Sequence, residues 1–229
     1  MRRKNMLRSL VLGGLWCLLP AAFADTTGVW TVQGGQQIKV EYRSPQAIRV
    51  ELDNGASLLI KDGKTYLMQQ LQGSWRVMDL DSVRQQVGQF RQMLGGMNIH
   101  IPALENANQL PNPQVDMTAT GKTEQVAGFK GEVYQVKVKQ PDGQTMETDA
   151  VLTDAPEIAQ LQDALVELAK TNAKSLPGIK IPIPDVIDKT KGKGLLRYGD
   201  MMRLQSVSKN AIPDQQFELP AKPTSLGLS

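Results

Sequence analysis

The strongest constraint on the fold is a run of alternating apolar and polar residues between positions 29 and 80. Residues 38–43 (IKVEYR) and 48–52 (IRVEL) place every second side chain on one face, which is typical of antiparallel strands with one solvated face. Turn-forming pairs separate these runs at intervals of about 8–10 residues, which is the spacing of a β-meander. They are Gly34-Gly35, Ser44-Pro45, Asn54-Gly55, Asp62-Gly63 and Gln72-Gly73. The pattern predicts consecutive hairpins, with residues 56–61, 64–71 and 74–80 completing the meander.

Two segments interrupt this rhythm with apolar residues at helical spacing. The first helix is predicted over residues 82–94, where Asp81 or Ser82 is placed to cap its start. Its apolar stripe is Val83, Val87, Phe90 and Leu94. The second helix is predicted over residues 156–172, and its apolar stripe is Ile158, Leu161, Leu165 and Leu168. Each helix follows a group of strands, so neither belongs to a βαβ unit.

Further strands are predicted after each helix, and a proline-rich segment over residues 176–187 is expected to be extended. The predicted strands are 115–121, 129–140, 145–153, 194–198, 201–209 and 215–219. The fold class is therefore α+β. We expect a strongly curved antiparallel sheet or unclosed β-barrel, with the two helical inserts acting as a lid.

The first 24 residues have the features of a cleaved signal peptide. A basic start precedes an apolar run over residues 10–19, and Ala22-Phe23-Ala24 has the small-x-small pattern of a signal-peptidase site. We expect Sec export, cleavage after Ala24 and a single periplasmic domain over residues 25–229. No later segment has the roughly 20 apolar residues of a membrane helix, so no integral membrane segment is expected after processing.

The leader also carries the apparent basicity of the chain. The chain has 26 basic and 23 acidic residues, and four of the basic ones lie in the leader. The processed chain then has 22 basic and 23 acidic residues, a net charge of −1, which does not favour nucleic acid as a partner. Cys17, the one cysteine, also lies in the leader, so no disulfide is expected.

The sequence offers little for catalysis. His100 is the single histidine, and with no cysteine left after processing, His/Cys metal sites and cysteine nucleophiles are excluded. Two carboxylate pairs are close in sequence, but Asp79 and Asp81 are interpreted as residues at the start of a helix. Glu147 and Asp149 are interpreted as one solvated strand face. We therefore expect no enzyme, no cofactor and no metal.

Three stretches resemble a family of secreted bacterial domains of unknown function that is similar to the periplasmic outer-membrane lipoprotein carriers (the LolA/LolB-like group). They are Tyr66–Met68 with Gly73–Asp79, Gly121–Tyr134 and Phe217–Pro220. The resemblance covers most of the chain after the leader. It implies an unclosed antiparallel half-barrel around an apolar cavity, with helices as a lid and acyl chains as the cargo.

These patterns predict a periplasmic, non-enzymatic binding or carrier protein for an apolar ligand such as a lipid, an acyl chain or a lipoprotein. The eight stripe residues of the two helices, Val83, Val87, Phe90, Leu94, Ile158, Leu161, Leu165 and Leu168, are the candidate cavity lining. The alternative interpretation is that these stripes close a dry core. The alternative function is an envelope interaction or stress-sensing module, which binds a periplasmic protein through residues 176–187 or a sheet edge.

Overall fold

The structure is a computed structural model, and it describes residues 25–83, 85, 114–139, 143–175, 190 and 192–224. Eleven strands in these residues form one sheet in which every neighbouring pair is antiparallel. The strands are β1 (Thr26–Val32), β2 (Gln37–Ser44), β3 (Ala47–Leu52), β4 (Ala56–Lys61), β5 (Lys64–Leu71), β6 (Ser74–Asp79), β7 (Gln114–Val126), β8 (Phe129–Lys139), β9 (Thr145–Thr153), β10 (Gly194–Tyr198) and β11 (Met202–Ser208). The predicted meander and the predicted strands after it are confirmed, except for the last one.

The strand order is β6-β5-β4-β3-β2-β1-β11-β10-β9-β8-β7. Two meanders, β1–β6 and β7–β11, are therefore joined by pairing of the first strand with the last. The described strands β6 and β7 form the two edges and do not pair with each other. The sheet is open, as the alternation pattern predicted.

The tight turns follow from residues that tolerate a positive φ. Asp62-Gly63 and Gln72-Gly73 have positive φ at both positions, as a type I′ hairpin turn requires. Both pairs were recognised as turn signals in the sequence. The β7–β8 hairpin uses Ala127-Gly128 in the same way, with φ of 50° and 86°. Its alanine gives no comparable signal in the sequence.

Helix α1 (Pro156–Ser175) confirms the predicted second helix and extends three residues beyond it. It packs on one face of the sheet, which we call the inner face, and contacts β1, β2, β5 and β10. The opposite face is called the outer face.

The predicted first helix begins two residues earlier than expected. Residues 80–83 and 85 are helical, and 86–94 lie outside the described residues. The cap is Asp79 rather than Asp81 or Ser82, because Oδ1 of Asp79 accepts hydrogen bonds from the backbone N–H groups of Asp81 and Ser82. Asp79 ends β6 and also caps the helix that follows, so one side chain fixes this transition.

The predicted strand at 215–219 is wrong. Asp214–Phe217 is a short 3-10 helix within a segment, residues 212–224, that lies across the outer face and is called the C-terminal strap. Ile212 and Phe217 are 5% exposed and pack with outer-face side chains of β4, β5 and β6. These side chains are Leu59, Tyr66, Met68 and Val77.

Cationic side chains of neighbouring strands explain why the strap does not join the sheet. Arg43, Arg49 and Lys61 donate to backbone carbonyls of the strap, at Ile212, Gln216 and Phe217 respectively. Pro213 also lacks the N–H that a strand ladder needs. At its far end the strap meets edge strand β6, where the N–H of Thr224 donates to the carbonyl of Val77 at 2.8 Å.

Candidate functional site

The four predicted site residues of α1 lie together between the helix and the inner face. Ile158, Leu161, Leu165 and Leu168 are between 0% and 6% exposed. They form one apolar cluster, called the inner core, with side chains of eight strands and of the helical residue Leu80 after β6. These include Trp30, Val40, Tyr42, Ile48, Val50, Leu58, Ile60, Leu80, Val126, Val151, Leu196 and Leu204.

Of the predicted residues on the first helix, the structure describes only Val83. Its side chain is buried, at 8% exposure. Val87, Phe90 and Leu94 lie outside the described residues, as do His100 and the proline-rich segment 176–187. The prediction that the eight residues line one cavity therefore stays a prediction.

Helix α1 lies unusually close to the sheet at two glycines. A Cβ at Gly28 would lie 2.6 Å from the Trp30 ring and 2.7 Å from Leu161. A Cβ at Gly194 would overlap the side chain of Ile158 and lie 2.6 Å from its backbone carbonyl carbon. The absence of a side chain at these positions allows the helix to pack directly on the backbone of β1 and β10.

A buried amide fixes the helix to β10. Gln162 is 4% exposed; its Nε2 donates to Oγ1 of Thr190, and its Oε1 accepts from the N–H of Leu195 at 2.6 Å. The carbonyl of Leu195 accepts from Nε1 of Trp30 at 3.2 Å. Both backbone groups of Leu195 are thus bound by side chains where a β-bulge interrupts the ladder between β10 and β9.

The inner face also carries an open cleft of about 730 Å³, called the polar cleft. Residues of β7 form one wall, and β8, β9 and β10 form the floor. The lining side chains are Thr120, Lys122, Thr123, Glu124, Val133, Gln135, Glu147, Thr148, Asp149 and Arg197.

Arg197 is the central charge of this cleft. Its guanidinium binds both oxygens of Glu124 and both oxygens of Asp149, with the shortest contacts at 2.6 Å. Hydrogen bonds from Arg197 hold the pKa of Glu124 and of Asp149 below their usual ranges. Arg203 adds a second cation at 3.3 Å from Glu124. Both carboxylates therefore stay ionised under ordinary conditions.

The bridge between Glu124 and Arg197 shows how strongly the sheet is curved. Two strands, β8 and β9, separate β7 from β10 in the strand order, yet the two side chains meet. A register shift between Ala119 and Thr123, with Gly121 at a φ of +73°, turns the second half of β7 towards β10. The polar cleft is the space enclosed by this turn.

Sequence reasoning found part of this cleft and missed its centre. Glu147 and Asp149 do share a strand face, but both are ion-paired, Glu147 with Lys137 at 2.8 Å and Asp149 with Arg197. Arg197 and Glu124 were not singled out. They lie 73 residues apart in the chain, and no local pattern connects two residues at such a separation.

Comparison with protein-family models, with curated proteins and with solved structures finds no match. Within the described residues, no helix is long and apolar enough to span a membrane. The same residues contain no group of three or more His, Cys, Asp or Glu side chains that is arranged to hold a metal ion.

Proposed function

We propose that this chain is a periplasmic, non-enzymatic binding or carrier protein for an apolar ligand such as a lipid, an acyl chain or a lipoprotein. The observation that carries the proposal is the inner core. An open sheet presents apolar side chains from most of its strands on one face, and the amphipathic helix α1 covers them. The predicted leader supplies the route to the periplasm.

The physical basis is the removal of apolar surface from water. Each Å² of acyl surface transferred into such an interior contributes roughly 25 cal/mol. An open sheet suits this role better than a closed barrel, since its two halves can separate by small changes in curvature. Helix α1 and the helix that begins at Leu80 both contribute buried apolar residues to the inner face, which supports their role as a cover over the ligand.

The first experiment is purification of the protein from the periplasm without detergent, followed by mass spectrometry of extracted lipid. The carrier function predicts a stoichiometric lipid or acyl species. A protein that is empty and also fails to bind a fluorescent fatty acid contradicts the proposal.

A pair of variants tests whether the ligand binds at the inner core or at the outer-face cluster. Leu165→Ala removes an apolar side chain of the inner core, whereas Leu59→Ala removes one from the outer-face cluster under the strap. Both side chains are buried, so each variant should lose about 2–5 kcal/mol of stability. Only Leu165→Ala should weaken the binding of the fluorescent fatty acid. Equal binding by the two variants would place the ligand elsewhere.

A second candidate function, an envelope interaction module, is favoured by two exposed apolar side chains. Leu71 and Trp75 are 39% and 38% exposed at the β5–β6 hairpin, and tryptophan is enriched in protein interfaces. A photo-crosslinking residue at position 75, with position 130 on β8 as the control, tests this function in living cells. A discrete crosslinked species that is specific to position 75 supports it, and matching patterns at the two positions contradict it.

A further inference from the structure

The inner face changes from apolar to polar along each of four strands, β7 to β10. Val133 and Val151 face each other on β8 and β9, and the next pair on the same face is Gln135 with Asp149. Val151 lies in the inner core and Val133 packs against it, and Val133 also lines the polar cleft together with Gln135 and Asp149. The change occurs within two residues, a distance of about 7 Å along a strand.

The two flanking strands also change from apolar to polar on this face. On β7, Val126 is 1% exposed in the inner core, and Glu124, two residues earlier, lines the cleft. On β10, Leu196 lies in the inner core and the adjacent Arg197 lines the cleft. The polar cleft and the inner core are therefore two ends of one continuous surface, which is amphiphilic.

The charges at the polar end indicate which kind of group fits there. The three carboxylates of the cleft are matched by three cations, since Glu124 pairs with Arg197 and Arg203, Asp149 with Arg197, and Glu147 with Lys137. Lys122 also lines the cleft, and among the described residues its ammonium has no ion-pair partner. The unmatched charge of the cleft is thus positive.

We propose that the polar cleft receives the anionic head group of a single-chain amphiphile, such as a fatty-acid carboxylate. Lys122 pairs with the head group, and the chain passes over Val133 and Val151 into the inner core. This inference rests on the carrier function proposed above and adds to it the class of ligand and a residue that determines specificity. The bridge through Arg197 fixes the walls of the cleft before the ligand arrives.

The test measures the contribution of the head group to binding separately from that of the apolar chain. Binding of Nile red, an uncharged apolar dye, is measured first, and the dye is then displaced with dodecanoate or with dodecanol. We expect dodecanoate to displace the dye at a lower concentration than dodecanol. Lys122→Gln should raise the concentration of dodecanoate that displaces the dye by about three- to fivefold, which is the effect of one exposed ion pair. The concentration of dodecanol that displaces the dye should not change. High salt should have the same effect as the variant.

Lys130→Gln is the matched control, because Lys130 is an exposed lysine of β8 that does not line the cleft. Lys122 is itself exposed, so its variant is expected to fold, and circular dichroism verifies this. The head-group site is overturned, and the carrier function stands, if Nile red binds but dodecanoate displaces it at no lower concentration than dodecanol. The same conclusion follows if Lys122→Gln does not reduce this difference between dodecanoate and dodecanol. If neither the dye nor either amphiphile binds, both proposals are overturned.

Discussion

Gly194 is the residue at which the contact between helix α1 and the sheet is closest. An added Cβ would meet both the side chain and the backbone of Ile158, and the backbone cannot rotate away as a side chain can. Glycine here is required by space and not by φ, so no turn motif in the sequence identifies it. Its role follows only from the position of the helix.

We predict that Gly194→Ala destabilises the protein by about 1–3 kcal/mol, since the helix must shift away from β10. Urea unfolding measures the change. Ser206→Ala on β11, at an exposed position, serves as the control and should change stability by less than about 0.5 kcal/mol. A Gly194→Ala variant as stable as the parent would show that the helix does not pack this closely.

The polar residues of the cleft illustrate the limit of local sequence patterns. The alternation that placed Glu147 and Asp149 on one face of β9 was correct, because strand geometry fixes it. That face was interpreted as solvated, and the Glu147 and Asp149 side chains are 50% and 45% exposed. The sequence did not show that the same face lines an open cleft whose other wall is formed by β7, because the curvature of the sheet brings together strands that are far apart in sequence.

At the scale of the element, α1 is held by a polar contact as well as by its apolar stripe. The stripe was predicted from its spacing, and all four of its residues are buried. Gln162 lies among them on the same helix, and its amide satisfies the N–H of Leu195. A glutamine next to an apolar stripe is ordinarily solvated, so the sequence did not indicate this role.

Gln162→Leu should therefore destabilise the protein although it adds apolar surface to the helix. The N–H of Leu195 would remain buried without this acceptor, at a cost of about 1–3 kcal/mol. Gln160→Leu, at a half-exposed position of the same helix, should be close to neutral. Thermal unfolding of the two variants and hydrogen exchange at the Leu195 amide are the measurements. Exchange at Leu195 that is equally slow in both variants would rule out the role of Gln162.

The C-terminal strap is the element for which the sequence prediction was wrong. Phe217-Glu218-Leu219 has the alternation of a strand, but the segment packs through Phe217 onto the outer face. The ring of Phe217 also lies under the Arg43 guanidinium, 4.7 Å from its centre. Alternation alone does not distinguish a strand in the ladder from an extended segment that lies across one.

Phe217→Ala should lower the free energy of unfolding by about 3–5 kcal/mol, as expected for a buried phenylalanine. The variant should also expose the outer-face cluster to apolar dyes. Gln215→Ala lies in the same 3-10 helix at an exposed position and should have little effect. Unfolding midpoints in urea provide the comparison. Equal midpoints for the two variants would mean that the strap does not contribute to the folded core.

At the scale of the whole molecule, ion pairs connect the ends of the fold. Asp25, next to β1, accepts from Arg43 of β2 and from the N–H of Ile212 in the strap. Hydrogen bonds from Arg43 hold the pKa of Asp25 below its usual range, as Arg197 does for Glu124 and Asp149. These three carboxylates bind fewer protons in the folded chain than in the unfolded chain at acid pH.

Stability should therefore be constant above the pKa of unfolded carboxylates, about 4, and should fall as the pH drops through and below it. Arg197→Gln should lower stability at neutral pH by about 1–2 kcal/mol, a modest value because Asp149 is partly solvated. The variant should also make stability depend less on pH, since Glu124 and Asp149 then lose the cation that lowers their pKa values. Urea unfolding between pH 7 and pH 3 measures both effects, and parallel pH profiles for the two proteins would contradict this assignment.

The sequence by itself determined the strands of the sheet, the turns between β1 and β6, and the second helix with its buried stripe. These features depend on periods of two and 3.6 residues and on turn residues, which are properties of neighbouring positions. The tertiary structure decided the pairing of β1 with β11, the position of the strap, the close contact at Gly194 and the bridge through Arg197. These depend on the curvature of the sheet and on contacts between residues far apart in the chain, and no local period records such contacts.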